Sequence, residues 1–259
     1  MKESNTPIVL CFSGLDPTGG AGIQADIEAI GNHKCHAAPI ITANTVQNTH
    51  NVSYFEAISP DIILQQAEAI LNDMSVSAIK IGMLGTSETA EVIHKILKKN
   101  KNIPVIFDPV LSAGGGTTLS RNDLIDAIRT LIIPHTYMLT PNIPEAHHLT
   151  SDKLTSQNAA QKLNAMGARY TLLTGTHSKS KNVVHELYSE LVCLETFKYQ
   201  RLESEYHGSG CTLASSLAAL IAKQTEPTIA CQQALDYTYT TLKKAQPLGH
   251  GQLIPKRYL

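Results

Sequence analysis

Six times along this chain a short apolar run stops abruptly at a turn, most often with a helical pattern after it. The stops fall at Asp16, Gln47, Met83, Asp108, Asn142 and Thr174. Apolar strands that alternate with helices make a mostly parallel sheet covered on both faces, since each parallel neighbour needs a crossover. The pattern predicts strands at 8–12, 37–42, 78–81 and 103–110, with strand–turn units at 137–146 and 169–177. It places helices at 21–30, 60–72, 86–99, 122–131, 211–223 and 228–244, an edge strand at 52–58, and a hairpin of 183–188 with 190–197 around Ser189. Nothing resembling a linker or repeat interrupts the alternation, so one α/β domain over 1–259 is expected. All six stops then share the carboxyl edge of the sheet, where open α/β folds bind their ligands. Each stop alone reads as an ordinary turn residue; six on one edge point to a site.

Bulk properties exclude several classes of partner. Of the 259 residues, 42% are hydrophobic and 17% charged, enough for a packed core. A net charge of −1 gives no basic excess for nucleic acid or an anionic membrane. Cys11, Cys35, Cys193, Cys211 and Cys231 are odd in number and form no C-x-x-C pair, which fits neither a zinc ribbon nor a disulfide framework. Residues 1–7 lead into only five apolar positions, too few for a signal core or a membrane span. A cytoplasmic protein is expected.

The densest turn lies at 13–30, "SGLDPTGGAGIQADIEAI". Gly20, Gly22 and Ala25 match G-x-G-x-x-A, the dinucleotide fingerprint. That reading needs an acidic residue about 20 positions on to hold a ribose, and the chain has none between Glu28 and Glu56. The Gly-Lys dipeptide of a Walker loop is absent, as is a G-x-S-x-G elbow. Glu145, His147 and His148 match no zincin spacing. The stronger signal is "HGSGCTLASSLAALIA" at 207–222, where a small-residue turn feeds a long apolar helix. Backbone N–H groups of Gly208, Ser209, Gly210 and Cys211 at that helix start suit an anion, and Ser209 is also placed to cap the helix. Cys211 falls in the first turn, where the helix dipole is expected to favour thiolate. An anion hole beside an ionisable group is what phosphoryl transfer asks for.

"SGLDPTGGAGIQAD", "TANTVQNT", "KIGML", "FDPV", "TPNIPEA" and "HGSGCTLASSLAALIA" occur here in one order. In that order the chain resembles the hydroxymethylpyrimidine and phosphomethylpyrimidine kinases of thiamine biosynthesis, in the ribokinase-like superfamily, over about 8–251. Pyridoxal kinases are close cousins. The resemblance implies a three-layer αβα fold with a small flap, a homodimer, and ATP and Mg2+ as cofactors. It places Gly14, Asp26, Gln47 and Met83 around a pyrimidine, and Asp108 and Glu145 at magnesium. Asn142, Thr174 and Gly175 fall on the nucleotide side, Gly208, Ser209 and Gly210 form the anion hole, and Cys211 takes the catalytic position that most of the superfamily gives to aspartate.

Three stretches depart from the family pattern. Ala113, Gly114, Gly115 and Gly116 stand where many relatives carry Ala-Lys-Ser-Gly, Thr174 stands where many have lysine, and the tail "GHGQLIPKRYL" keeps only the start of the usual ending. The implied reaction is phosphorylation of 4-amino-5-hydroxymethyl-2-methylpyrimidine, then of its monophosphate. A pyridoxal or pyridoxine kinase is the alternative, and a non-catalytic pyrimidine-binding protein of the same fold is a third reading.

Overall fold

The computed structural model describes residues 6–112, 121–175 and 180–259. The glycine run at 114–116, and the tip of the 169–177 unit beyond Gly175, lie outside them. Among the described residues nine strands form one sheet in the order β3-β2-β1-β4-β5-β6-β7-β8-β9. The parallel strands are β1 (Ile8–Leu15), β2 (His36–Gln47), β4 (Val76–Ile81), β5 (Val105–Phe107), β6 (Met138–Leu139) and β7 (Tyr170–Thr174). An antiparallel strand closes one side, β3 (Val52–Ala57) against β2. The hairpin β8 (Asn182–Ser189) and β9 (Val192–Gln200) closes the other.

Alternation within β1 sorts the core into two layers. Leu10 and Phe12 face one way, joining Ile79, Ile81 and Phe107 beneath α2 (Pro60–Asp73), α3 (Ser87–Lys99), α4 (Asn122–Ala127), α5 (Ile143–Thr150) and α6 (Ser156–Ala165). Val9 and Cys11 face the other, with Ala78, Ile106 and Leu172, beneath α1 (Gly22–Asn32), α7 (Ser209–Ala222) and α8 (Pro227–Lys243). The expected three-layer αβα architecture is present. Among the described residues no helix is long and apolar enough to cross a membrane.

The differences from the expected elements have local causes. β2 runs five residues past 42, because 43–47 leave the layered core and pair with β3 as a ribbon, where polar side chains are tolerated. That ribbon is the expected flap, overhanging the carboxyl edge. Thr86 lies outside α3 as its cap, its hydroxyl accepting from the Thr89 N–H at 3.2 Å. The 122–131 helix changes register at Ala127 and continues as a π turn and a short 3-10 turn to His135, with Pro134 in the latter. α6 went unread because its buried face is made of Ala159, Ala160 and Leu163, too small to raise a strong apolar period.

One charge lies where the strand pattern asks for none. Lys80, in the middle of the sheet, is fully buried, and its ammonium lies 2.9 Å from Asp26 and 2.8 Å from the Ser13 hydroxyl. Asp26 of α1 also accepts from Ser13 and from Ser215 of α7, both at 2.6 Å. This cluster ties two strands to two helices. Burial opposes the lysine's charge, but Asp26 outweighs it and the ammonium is held well above its usual range. Removing one partner strands the other in a dry core, so Lys80→Met should cost roughly 3–5 kcal/mol of stability in urea unfolding. The double variant Lys80→Met/Asp26→Leu should recover part of that loss; two single losses that simply add would show the pair is not coupled.

Candidate active site

Substrate-side residues converge where β1 leaves the sheet. Asp16 accepts from the Thr18 N–H at 2.8 Å, the Thr18 hydroxyl at 2.9 Å and the Ala21 N–H at 2.8 Å, folding 16–21 into a tight turn. The same carboxylate meets His207 Nε2 at 2.8 Å and the Gln47 amide of the flap. Burial raises its pKa, yet the bonds from His207, Gln47 and Thr18 overcome this and hold Asp16 well below the usual carboxylate range. Gly22 follows with φ +56°, and a Cβ there would come within 2.1 Å of the Gly14 carbonyl. Gly14 in turn lies against Met83, whose sulfur would be 3.1 Å from a Cβ. Met83 is 8% exposed and packs with Ala43, Val52, Phe55 and Val110. Gly14 and Met83 thus share one small floor, and Gln47 meets the chain two residues on, at Asp16.

Asp26 does not join them. It has no exposed surface, and its oxygens are taken by Ser13, Lys80 and Ser215. The expected direct contact with a pyrimidine is corrected to a place beneath the floor.

The phosphate-side turn stands opposite. Gly208, not Ser209, is the N-cap of α7, in the left-handed region at φ +72° and with no side-chain cap bond; Ser209 is already helical. A Cβ on Gly208 would come within 2.0 Å of the Gly20 carbonyl, so the two glycine turns touch backbone to backbone. Asp108, just past β5, lies under this turn, 3.5 Å from where a Gly210 Cβ would be. Cys211 is partly open to the cleft by surface area, yet protein surrounds its sulfur closely. Burial pushes the thiol up to about 12, with Asp108 and Asp26 adding to the rise; Lys80 and the Gly22 N–H only moderate it. These surroundings favour the thiol over the expected thiolate. Desolvation and two neighbouring carboxylates outweigh the helix dipole.

The third group gathers at α5. Asn142 caps that helix, its side chain accepting from the Glu145 N–H at 2.9 Å while Glu145 accepts from the Asn142 N–H at 2.8 Å. Thr174 donates its N–H to the Pro141 carbonyl at 2.9 Å and so lies beside Asn142. Gly175 is buried with its Cα against the Val184 carbonyl, 2.1 Å from any Cβ, which explains the glycine by strand packing alone. Burial raises both Asp108 and Glu145, and each carboxyl feels charge nearby: Asp108 raises Glu145, while Lys80 moderates Asp108. Asp108 Oδ2 is buried without a hydrogen-bond partner. Two crowded carboxyls with an orphan oxygen fit a divalent cation of the magnesium type, which takes one or two protein carboxylates and completes its shell elsewhere. Among the described residues no cage of three or more His, Cys, Asp or Glu side chains exists.

Residues 16–256 match the family profile of phosphomethylpyrimidine kinase. The chain belongs to that family. It is 31% identical over 249 residues to a hydroxymethylpyrimidine/phosphomethylpyrimidine kinase of Aquifex aeolicus, covering 94% of this chain and 97% of that one. It is 34% identical over 247 residues to a thiamine biosynthesis bifunctional protein of Geobacter sulfurreducens, of whose length it spans only half. An ADP complex of Bacillus subtilis pyridoxal kinase superposes with a TM-score of 0.88 at 28% identity, covering 97% of both chains.

Three further site residues escaped the sequence reading. His207 stood inside a quoted motif without a role. Lys80 had a signal, a lone charge inside an apolar strand. Arg257 had none, since nothing local says that it meets residues 19–28.

The pair Asp108 and Glu145 has a pH signature. In the folded protein Glu145 is raised to about 8, so the native state holds a proton that the unfolded chain releases above its ordinary value of 4.5. This contribution is full at low pH and is lost as pH rises through about 8. Without metal or nucleotide, Glu145→Gln should lose about 1–2 kcal/mol less stability than the parent between those limits, once the partly open side chain is discounted for water. Urea unfolding across the pH range reads this; parallel curves would show that Glu145 is not strained.

Proposed function

We propose that this chain is an ATP- and magnesium-dependent kinase that phosphorylates 4-amino-5-hydroxymethyl-2-methylpyrimidine and then its monophosphate. The observation that carries the reading is that the turn at 208–211, over Asp108, touches the glycine turn that follows the Gly14–Met83 contact, with Gln47 bonded to Asp16 of that same turn. Family membership supplies the substrate class, and the ADP complex of a related kinase supports ATP as the donor.

The chain's own groups divide the work. Gln47 bonds Asp16 on one side, and its amide can both donate and accept toward a ring nitrogen and amino group. Met83 offers a polarisable flat contact for the ring. Free N–H groups at the start of α7 receive the transferred phosphoryl oxygens. Asp108 and Glu145 would hold magnesium, which when bound neutralises charge on the ATP phosphates. Asn142 and Thr174, side by side at the edge of β7, are the groups nearest a nucleotide there. A loose transition state asks little of a base, so the neutral Cys211 thiol serves by placing no fixed charge beside the nucleophile. This reading carries with it a cytoplasmic homodimer.

A second reading, pyridoxal or pyridoxine kinase, is favoured by the close superposition on pyridoxal kinase; those substrates also present a hydroxymethyl group on a six-membered nitrogen ring. Incubation with ATP, magnesium and each heterocycle, followed by mass spectrometry, separates the two. The pyrimidine should gain one and then two phosphates. Pyridoxal phosphate as the main product would favour the second reading, and no product from any of them would leave a binding protein.

Cys211→Asp tests the place of the thiol. In the second step the acceptor is a phosphate monoester carrying about −1.5 to −2 charges at neutral pH. A carboxylate 4 Å from it is unfavourable by about 4 kcal/mol at an effective dielectric near 20. The variant should therefore lose far more of the second step than of the first, when each is timed from its own substrate. Equal slowing of both would show that the cysteine is there for packing.

A further inference from the structure

The largest fully buried side chain among the described residues belongs to Arg257, two positions before the last residue and 1% exposed. A buried guanidinium is tolerated only when its donors are matched, and here they are matched from both glycine turns. Nε donates to the Thr212 hydroxyl in the first turn of α7 at 2.8 Å. One terminal nitrogen donates to the Gly19 carbonyl at 3.3 Å and to Glu28 at 3.1 Å, and the other donates to the Gly20 carbonyl. The arm that carries it is anchored independently on α8. Tyr237 donates its hydroxyl to the Arg257 carbonyl at 2.8 Å, and the Lys256 N–H donates to Thr241 at 3.2 Å.

The Gly20–Ala21 peptide is the point of leverage. Its carbonyl is held by Arg257, while its N–H is held by Asp16, the carboxylate that also bonds Gln47 and His207. The same carbonyl lies against Gly208, which offers it no donor. Only the planar fork of an arginine reaches Thr212 and two successive carbonyls at once.

We propose that Arg257 is a positioning residue for phosphoryl transfer, locking the substrate turn at 19–21 to the start of α7 so that acceptor hydroxyl and transferred phosphoryl group meet in line. The inference rests on the kinase reading above. Arg257 is buried and its guanidinium donors are taken up by Thr212, Gly19, Gly20 and Glu28, so it acts through the turns.

Arg257→Lys keeps the charge and loses the fork. Measured per folded molecule, its kcat for the pyrimidine should fall about tenfold to a hundredfold, the cost of a misplacement near 1 Å, with KM for both substrates changed far less. Guanidinium ion should restore part of kcat to Arg257→Ala, and methylammonium should not; if the alanine variant does not fold, the lysine variant decides alone. Hydrogen exchange reads the coupling without chemistry. In Arg257→Lys, peptides covering 16–22 and 207–213 should lose protection together. Parental kcat per folded molecule, or loosening confined to the tail, overturns the proposal. An inactive parent would instead overturn the substrate reading, and the exchange result would still judge the lock.

Discussion

A dry ion pair, Asp26 with Lys80, sits under everything this molecule does at its carboxyl edge. Neither group reaches water, so each depends on the other and on Ser13 and Ser215 to stay charged. Because those four residues come from β1, β4, α1 and α7, the pair sets the position of the helix whose start forms the anion turn. It also sets the local field. Lys80 moderates the rise of Cys211 and Asp108, while Asp26 adds to it. Burial, more than the pair, disfavours the charged form of the thiol above it, and Lys80 only moderates that.

Above the pair the architecture is one of close backbone contact. Gly14, Gly20, Gly22 and Gly208 let two segments far apart in sequence, 14–22 and the start of α7, meet backbone to backbone. Backbone-to-backbone contact carries little energy of its own, and polar side chains therefore do the fastening. Asp16 gathers one turn, and Arg257 joins it to the next. The carboxyl pair Asp108 and Glu145 is left with both groups raised by burial, a pair that a bound cation would relieve.

The layered fold was legible because period-two apolar runs and their polar stops are local signals that the sheet simply collects. Gly14, Gln47, Met83, Asp108 and the turn at 208–211 are readable as candidates for the same reason, each lying at or near the end of a readable element. What failed depended on depth or on distance along the chain. Asp26 looked like a ligand contact because its helix was read without its burial. Cys211 looked acidic because a dipole is a local property, whereas desolvation depends on the whole surrounding shell. Arg257 was invisible because Gly19, Gly20 and Glu28, most of its partners, are more than two hundred positions away. Ser156–Ala165 was missed because a face of alanines is quiet in sequence even when it is fully packed.

α7 is buried at every residue from Thr212 to Ala222. It is wedged between the sheet and its neighbouring helices, and Ala214, Ala218 and Ala219 are small enough to allow that. A helix with no wet face has no positions where substitution is free, because even one added methylene must displace a packed neighbour. Drift over generations is then channelled elsewhere: to the solvent side of the flap, to the outer hairpin and to the ends of the peripheral helices. The helix that continues the proposed anion turn is thereby also a stretch with little freedom to change its sequence, from Thr212 to Ala222.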